Sequence, residues 1–115
     1  MRRDMDLIRN ILLSTESDDF GNLEEVDGKT LAFHVALLEE AGLLRAYITF
    51  DGDEQPTGYI IRKITWSGYE FLDSIRDKTI WEKAKKYVLK PGASWTFVIL
   101  AEYLKGEIKE RLGMS

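Results

Sequence analysis

The sequence predicts an α+β fold in which helices accompany one antiparallel β-hairpin. Apolar residues recur at helical spacing near the N-terminus and again from residue 29 onward. Two β-rich runs then flank a turn that contains Gly52 and Pro56, which is the pattern of a hairpin. Segments with helical periodicity follow the hairpin as far as the C-terminus.

The composition predicts one globular, cytoplasmic domain over residues 1–115. A hydrophobic fraction of 44% and a charged fraction of 31% are those of a folded domain. The absence of cysteine fits a reducing compartment. Acidic residues interrupt the N-terminus before a secretory signal could form, and no apolar run reaches the roughly 18 residues that cross a bilayer. We therefore expect no membrane partner, and the net charge of −4 weighs mildly against nucleic acid.

The first half of the chain predicts two helices and a short strand. Asp4 has the position of a cap for a helix over residues 4–14. An acidic loop follows, and Leu23–Val26 is predicted to form the short strand. The second helix is expected from Lys29 to Ala41 and ends at Gly42, because glycine readily adopts the left-handed conformation that closes a helix.

The hairpin is predicted from Leu43–Phe50 and Gly58–Thr65, with an acidic turn between the strands. Helices are then expected to begin at Ser67 and Thr79, since each is followed three residues later by glutamate, the spacing of a capping box. Ser94 is predicted to cap a final helix over residues 94–112.

This order of elements is typical of a winged-helix domain, with a two- to three-stranded antiparallel wing and additional C-terminal helices. Four segments carry a closer resemblance: Arg3–Arg9, Phe33–Leu43, Ile64–Asp77 and Thr79–Lys85. They resemble the phage- and prophage-associated family known as domain of unknown function 2513.

The resemblance implies a bacterial, phage-derived or prophage setting and a winged-helix fold, but no activity. Two positions depart from the family pattern as we expect it. Tyr69 stands where a histidine is expected, and Phe33 stands where a tyrosine is expected. A fold-level likeness alone favours DNA binding only weakly.

The sequence contains no convincing catalytic or metal-binding motif, so we expect no enzyme activity and no cofactor. His34 is the only histidine, and a triad or zinc site would need partners that the chain lacks. We expect His34 to be a core residue that donates to a backbone carbonyl. Gly28-Lys29-Thr30 lacks the earlier glycine of a phosphate loop, since Leu23 stands there.

The second helix is poorly suited to reading bases. Its outward face is predicted to lie opposite Leu31, Val35 and Leu38. That face then carries Lys29, Ala32, Phe33, Ala36, Glu39 and Glu40. Only Lys29 is suited to hydrogen bonding with base edges. The acidic wing tip would also repel phosphate.

Positive charge is concentrated later in the chain, because residues 73–90 contain six basic and three acidic residues. Such a strip could contact phosphates without reading sequence, although it could equally be a solvated helix face. The candidate nucleic-acid contacts are Lys78, Lys83, Lys85, Lys86 and Lys90.

Two binding functions follow from these observations. The fold slightly favours a nucleic-acid-binding regulator that acts through phosphate contacts. The alternative is a protein-interaction module that uses Phe33, Glu39 and Glu40 to bind a host or phage protein, in regulation or anti-defence. The final helix offers a stripe for a homodimer, or for packing on the domain's own core, formed by Phe97, Ala101, Leu104 and Ile108.

Overall fold

A computed structural model describes residues 1–113 and has the predicted α+β architecture. The chain divides into an N-terminal unit, Met1–Glu70, and a C-terminal unit that begins at Phe71. The elements are α1 (Met5–Ser17), a 3-10 turn (Gly21–Leu23), α2 (Gly28–Glu40), β1 (Leu44–Phe50), β2 (Pro56–Ile64), α3 (Trp66–Ile75), α4 (Lys78–Tyr87) and α5 (Phe97–Arg111).

Helix α1 begins at the predicted cap and is longer than expected. The Asp4 carboxylate accepts a hydrogen bond from the Leu7 amide at 3.1 Å. The helix continues beyond residue 14 because polar side chains bond within it: the Thr15 hydroxyl donates to the Ile11 carbonyl at 2.7 Å. Asp18, in the left-handed conformation with φ of 58°, ends the helix.

The predicted strand at Leu23–Val26 is wrong. Gly21–Leu23 forms a 3-10 turn, and the Val26 amide donates to the Leu23 carbonyl at 3.1 Å. Backbone groups bonded in this local pattern are not available to a neighbouring strand. Leu23 is nevertheless buried, so its apolar character reflects packing in a turn. Within residues 1–113 the sheet therefore has two strands, β1 and β2, paired antiparallel.

Helix α2 begins one residue earlier than predicted and buries a wider face than predicted. Asp27 caps it, accepting from the Thr30 amide at 2.9 Å and the Thr30 hydroxyl at 2.7 Å, so Thr30 is not the cap. Ala32, predicted to face outward, is fully buried, whereas Leu31 is only half-buried. The helix contacts α1 as well as both strands, so its buried arc is wider than one stripe predicts.

A close approach fixes the base of the hairpin. Thr65, rather than Ser67, caps α3: its hydroxyl accepts from the Gly68 amide at 3.0 Å and donates to the Gly42 carbonyl at 2.6 Å. A Cβ on Gly68 would lie 1.9 Å from the Leu43 carbonyl oxygen. Glycine is therefore required where α3 meets the residue that precedes β1.

The C-terminal unit contains the helix break that the sequence predicted near Asp77. The Asp77 carboxylate caps α4 by accepting from the Ile80 amide at 3.0 Å, so Thr79 lies inside the helix. Thr96, rather than Ser94, caps α5 through the Ile99 amide at 3.2 Å. The hydroxyl and glutamate spacing at Thr79 located α4, and Ser94 located α5, but the acceptor in each case is a neighbouring residue that the sequence pattern did not select.

The buried residues agree with most of the predicted core. The periodicity of the sequence assigns eight positions to the core. Leu31 is only half-buried, and the other seven are buried: Leu7, Ile11, Val35, Leu38, Ile64, Leu72 and Ile75. In α5 the buried residues are Leu100 and Leu104, so only one member of the predicted stripe is buried.

Candidate binding surfaces

The N-terminal unit contains a groove between α2 and the hairpin. Its volume is about 350 Å³, near the lower end of the roughly 300–1,000 Å³ range of ligand sites. This groove is lined by Phe33, Ala36, Leu37, Glu39, Glu40, Ile48, Phe50 and Pro56. Its lining is apolar except for the two glutamates.

The groove has an apolar end and an acidic end. Glu39 at the end of α2 accepts from the Ala46 amide near the start of β1, at 3.3 Å. From that contact Phe33 lies six residues back along α2 and Phe50 lies four residues on along β1, and both line the groove. This places the glutamates at one end and Phe33 near Phe50 at the other.

The three residues predicted as a protein-interaction surface all line this groove. Phe33 is half-buried, with its ring edge-on to His34 at a centroid distance of 5.1 Å. Glu39 is half-buried and tied to the backbone, whereas Glu40 is exposed. The helical wheel found these side chains, but it could not show that Ile48, Phe50 and Pro56 complete the opposite wall.

His34 is a structural residue, as predicted. Its side chain is 1% exposed, and its Nε2 accepts from the Asp4 amide at 2.8 Å. Because Nε2 accepts, Nδ1 carries the proton and donates to the Thr30 carbonyl at 2.8 Å. Both ring nitrogens are therefore used, and the imidazole ties the cap of α1 to α2.

The other side of the hairpin carries a basic and aromatic surface. In the strand register Arg45 pairs with Lys63 and Tyr47 pairs with Ile60. Cross-strand partners share a face, and successive residues along a strand point to opposite faces. This surface, the outer hairpin face, therefore lies opposite Ile48 and Phe50 of the groove and consists of Arg45, Tyr47, Ile60, Arg62 and Lys63.

A β-bulge concentrates charge on the outer hairpin face. The register shifts between Arg45 and Ala46, which leaves Arg62 as the extra residue of β2. Its guanidinium lies over the Tyr47 ring, 5.2 Å from the centroid. Tyr47 and Ile60 are 62% and 67% exposed. None of the three basic residues forms an ion pair within residues 1–113.

The predicted lysine strip lies in the C-terminal unit, and part of its charge is neutralised there. Lys83 pairs with Glu107 at 3.3 Å, and Lys85 pairs with Glu82 at 3.2 Å. The Lys86 ammonium lies 5.3 Å from the Tyr87 ring centroid. Lys78 and Lys90 are exposed, and within residues 1–113 neither forms an ion pair.

The aromatic residues divide between core and surface. Trp81 is 1% exposed, in agreement with the prediction that the tryptophans build the core, but Trp66 at the start of α3 is 81% exposed. In α5 the large apolar residues exposed at its start are Phe97, Val98 and Ile99. The exposed apolar surface at the start of α5 thus differs from the stripe predicted for self-association or core packing, in which Leu104 is buried.

Two kinds of feature are absent from residues 1–113. In that range no helix is both long enough and apolar enough to cross a membrane. No three histidine or acidic side chains of those residues lie together in a way that could hold a metal ion.

Comparison with known proteins agrees with the resemblance seen in the sequence. Residues 2–94 match the model of a family described as "Hypothetical protein (DUF2513)". A relative from Haemophilus influenzae, described as "Uncharacterized protein", is 39% identical over 92 residues, which cover 74% of this chain and 76% of the relative. No solved structure matches the chain.

Proposed function

The chain belongs to the family described as "Hypothetical protein (DUF2513)", and we propose that it is a non-enzymatic, winged-helix-type regulator that binds nucleic acid mainly through phosphate contacts. The proposal includes a cytoplasmic location and a phage or prophage setting, as the sequence resemblance implies. The outer hairpin face is the observation that carries it.

The outer hairpin face has the chemistry that phosphate contact requires. Arg45, Arg62 and Lys63 are exposed and are not occupied by carboxylates of residues 1–113. In winged-helix and related proteins the elements that flank the recognition helix contact the backbone. Each cation placed against a phosphate releases a counterion, so affinity falls as salt rises.

Helix α2 argues against reading of base edges. Glu39 and Glu40 lie on its accessible side, together with the apolar Phe33, and carboxylates there would face the phosphates that border a groove of DNA. We therefore expect binding that is weak and nearly indifferent to sequence. The lysines of residues 78–90, in α4 and just after it, are a second set of phosphate contacts in this proposal, and Lys78, Lys86 and Lys90 retain the most available charge.

The test is a fluorescence polarisation titration with a labelled mixed-sequence duplex, at low and at moderate salt. The double variant Arg62→Glu/Lys63→Glu should lose most of the binding. Lys105→Glu/Lys109→Glu is the matched control, because it makes the same charge change at exposed positions of α5. Equal loss in both variants would show that only net charge matters, and no binding by the parent protein at low salt would refute the proposal.

A protein-binding role is the second candidate, and the groove is the observation that favours it. Phe33, Glu39 and Glu40 face Ile48 and Phe50 across a concave apolar surface. In this reading the partner is a host or phage protein. Self-association through α5 remains a separate proposal, which sedimentation at high protein concentration would test.

A further inference from the structure

We propose that the groove binds a short, extended peptide segment that carries one large apolar side chain and, roughly 10 Å along, an arginine or lysine. The inference goes beyond nucleic-acid binding, and it gives the second candidate function a ligand of defined chemistry. It rests on the shape and polarity of the groove.

The apolar end of the groove provides the anchor. Phe33 of α2 and Phe50 of β1 stand on its two walls, with Pro56 beside Phe50 in the strand register. Phe50 is 56% exposed even though it lines the groove, so much apolar surface there remains in contact with water. A large apolar side chain in the volume of about 350 Å³ would remove that surface from water, which is favourable.

The acidic end selects the charge of the ligand. Glu39 already accepts the Ala46 amide, whereas the exposed Glu40 has no ion-pair partner within residues 1–113. The groove lining contains no lysine or arginine. A cationic side chain is therefore its electrostatic complement, and a phosphate-bearing ligand is disfavoured.

The two ends fix the spacing within the ligand. Phe33 and Glu40 are seven positions apart on α2, which corresponds to roughly 10 Å along the helix axis. An extended peptide rises roughly 3.3 Å per residue. About three residues would span that distance but would turn the cation to the opposite face, because successive side chains of an extended chain alternate between faces. The cation should therefore stand about four residues from the apolar anchor, within reach of a flexible arginine or lysine side chain.

The groove and the outer hairpin face are separate surfaces. Tyr47 directly precedes Ile48 along β1 and Phe50 lies two residues after Ile48; successive residues of a strand point to opposite faces, so Ile48 and Phe50 share a face that Tyr47 does not. A substitution in the groove therefore leaves the outer cations in place. The peptide and nucleic-acid proposals can fail independently.

The test uses two labelled Gly/Ser-rich peptides that each carry phenylalanine, followed about four residues later by arginine in one and glutamate in the other. Polarisation titrations measure affinity, and amide chemical-shift changes locate the contact. We expect the arginine peptide to bind more tightly and to perturb Phe33, Ile48 and Phe50. Equal affinity for both peptides, no binding of either, or perturbations confined to other residues would overturn the proposal.

Two variants sharpen the test. Ala36→Leu fills the groove and should abolish peptide binding while leaving the nucleic-acid titration unchanged. Glu40→Lys changes an exposed residue and should reverse the preference, with an effect of roughly two- to fivefold for each peptide, as expected for a surface charge pair. Glu25→Lys makes the same charge change at an exposed position outside the groove and should leave the preference unaltered.

Circular dichroism must first show that each variant is folded. If Ala36→Leu does not fold, Glu40→Lys still decides the matter, because its side chain lies at the surface. The proposal fails if Glu40→Lys and Glu25→Lys change the two affinities alike. If the parent protein binds the arginine peptide but binds no nucleic acid at low salt, the proposed function is refuted and this inference stands.

Discussion

The outer hairpin face and the lysine strip of α4 are both basic, but their charges differ in availability. On the hairpin, Arg45, Arg62 and Lys63 have no ion-pair partner within residues 1–113. On α4, Lys83 and Lys85 already contact glutamates. A ligand phosphate must displace those carboxylates, whereas on the hairpin it displaces water and mobile ions.

The difference shows why a count of charges misjudges a binding surface. Residues 73–90 form the most basic stretch that the sequence analysis identified, yet one of the neutralising glutamates, Glu107, lies in another helix. The hairpin is acidic at its tip, yet one of its faces is basic. What matters is which charges share a face and which of them are already paired.

The largest effect we predict is on stability, from a substitution at Gly68, which packs against the base of the hairpin that carries the outer hairpin face. In Gly68→Ala the new Cβ would lie 1.9 Å from the Leu43 carbonyl oxygen and 2.6 Å from the Ile64 Cγ2. The contact with backbone cannot relax by a rotamer change, so we expect a loss of roughly 3 kcal/mol in the free energy of unfolding, the upper part of the usual range for overpacking. Chemical denaturation measures it.

The same substitution at Gly106 is the control. A Cβ there meets nothing within 4 Å, and the residue lies inside α5. Because alanine is favoured over glycine by about 1 kcal/mol within a helix, Gly106→Ala should stabilise the protein. Opposite signs for the two substitutions would confirm that the close approach matters, and a neutral Gly68→Ala would contradict it.

The comparison of the two basic surfaces predicts different salt dependences. If the outer hairpin face binds nucleic acid as proposed, Arg62→Gln should lower the slope of log affinity against log salt by about one, because one proposed phosphate contact is removed. Lys83→Gln should change the slope less, since Lys83 is held by Glu107. Polarisation titrations over a range of salt give both slopes. A larger change in slope for Lys83→Gln than for Arg62→Gln would indicate that α4, and not the hairpin, makes the main phosphate contact.

Releasing Lys83 from Glu107 should make the charge of α4 nearly as available to phosphate as that of the outer hairpin face. Glu107→Gln removes the carboxylate 3.3 Å from the Lys83 ammonium, so the lysine becomes available to phosphate and the salt slope should steepen. Glu102→Gln makes the same change at an exposed position of the same helix. If the two variants behave identically, the ion pair does not limit binding by α4.

Apart from the strand wrongly predicted at Leu23–Val26, the sequence predicted the order of the helices and of the hairpin strands because that order depends on local patterns. It predicted the glycine end of α2 at Gly42, which has φ of 76°, and the break at Asp77 for the same reason. It selected Ser67 where Thr65 caps α3, because several residues near a helix start can accept a hydrogen bond, and packing decides which of them does.

The surfaces were harder to predict, since they depend on contacts between distant residues. The helix pattern located Phe33 and Glu40, but their opposite wall lies on β1 and β2. The outer hairpin face depends on a bulge that turns Arg62 toward Tyr47. An alternating pattern assigns Arg62 and Lys63 to opposite faces, so the cluster was not visible before the register was known.

The smallest effect we predict is acid sensitivity in the C-terminal unit. The Ile80 amide lowers the pKa of Asp77, and the charge of Arg111, whose guanidinium lies 2.7 Å from the carboxylate, lowers it further. The folded pKa thus lies below its ordinary value of 3.8. The stabilisation is fully present above that value and is lost as pH falls through the folded pKa.

Asparagine also caps helices well but cannot titrate. Asp77→Asn should therefore lower Tm near neutral pH, because it removes the attraction to Arg111, and should approach the parent protein's Tm in strong acid. Asp53→Asn is the control, since Asp53 lies on the exposed hairpin turn and caps no helix. Thermal melts across the acidic range provide the measurement. A Tm difference between Asp77→Asn and the parent protein that stays constant with pH would show that the carboxylate's charge makes no contribution, and that Asp77 acts only as a hydrogen-bond acceptor for α4.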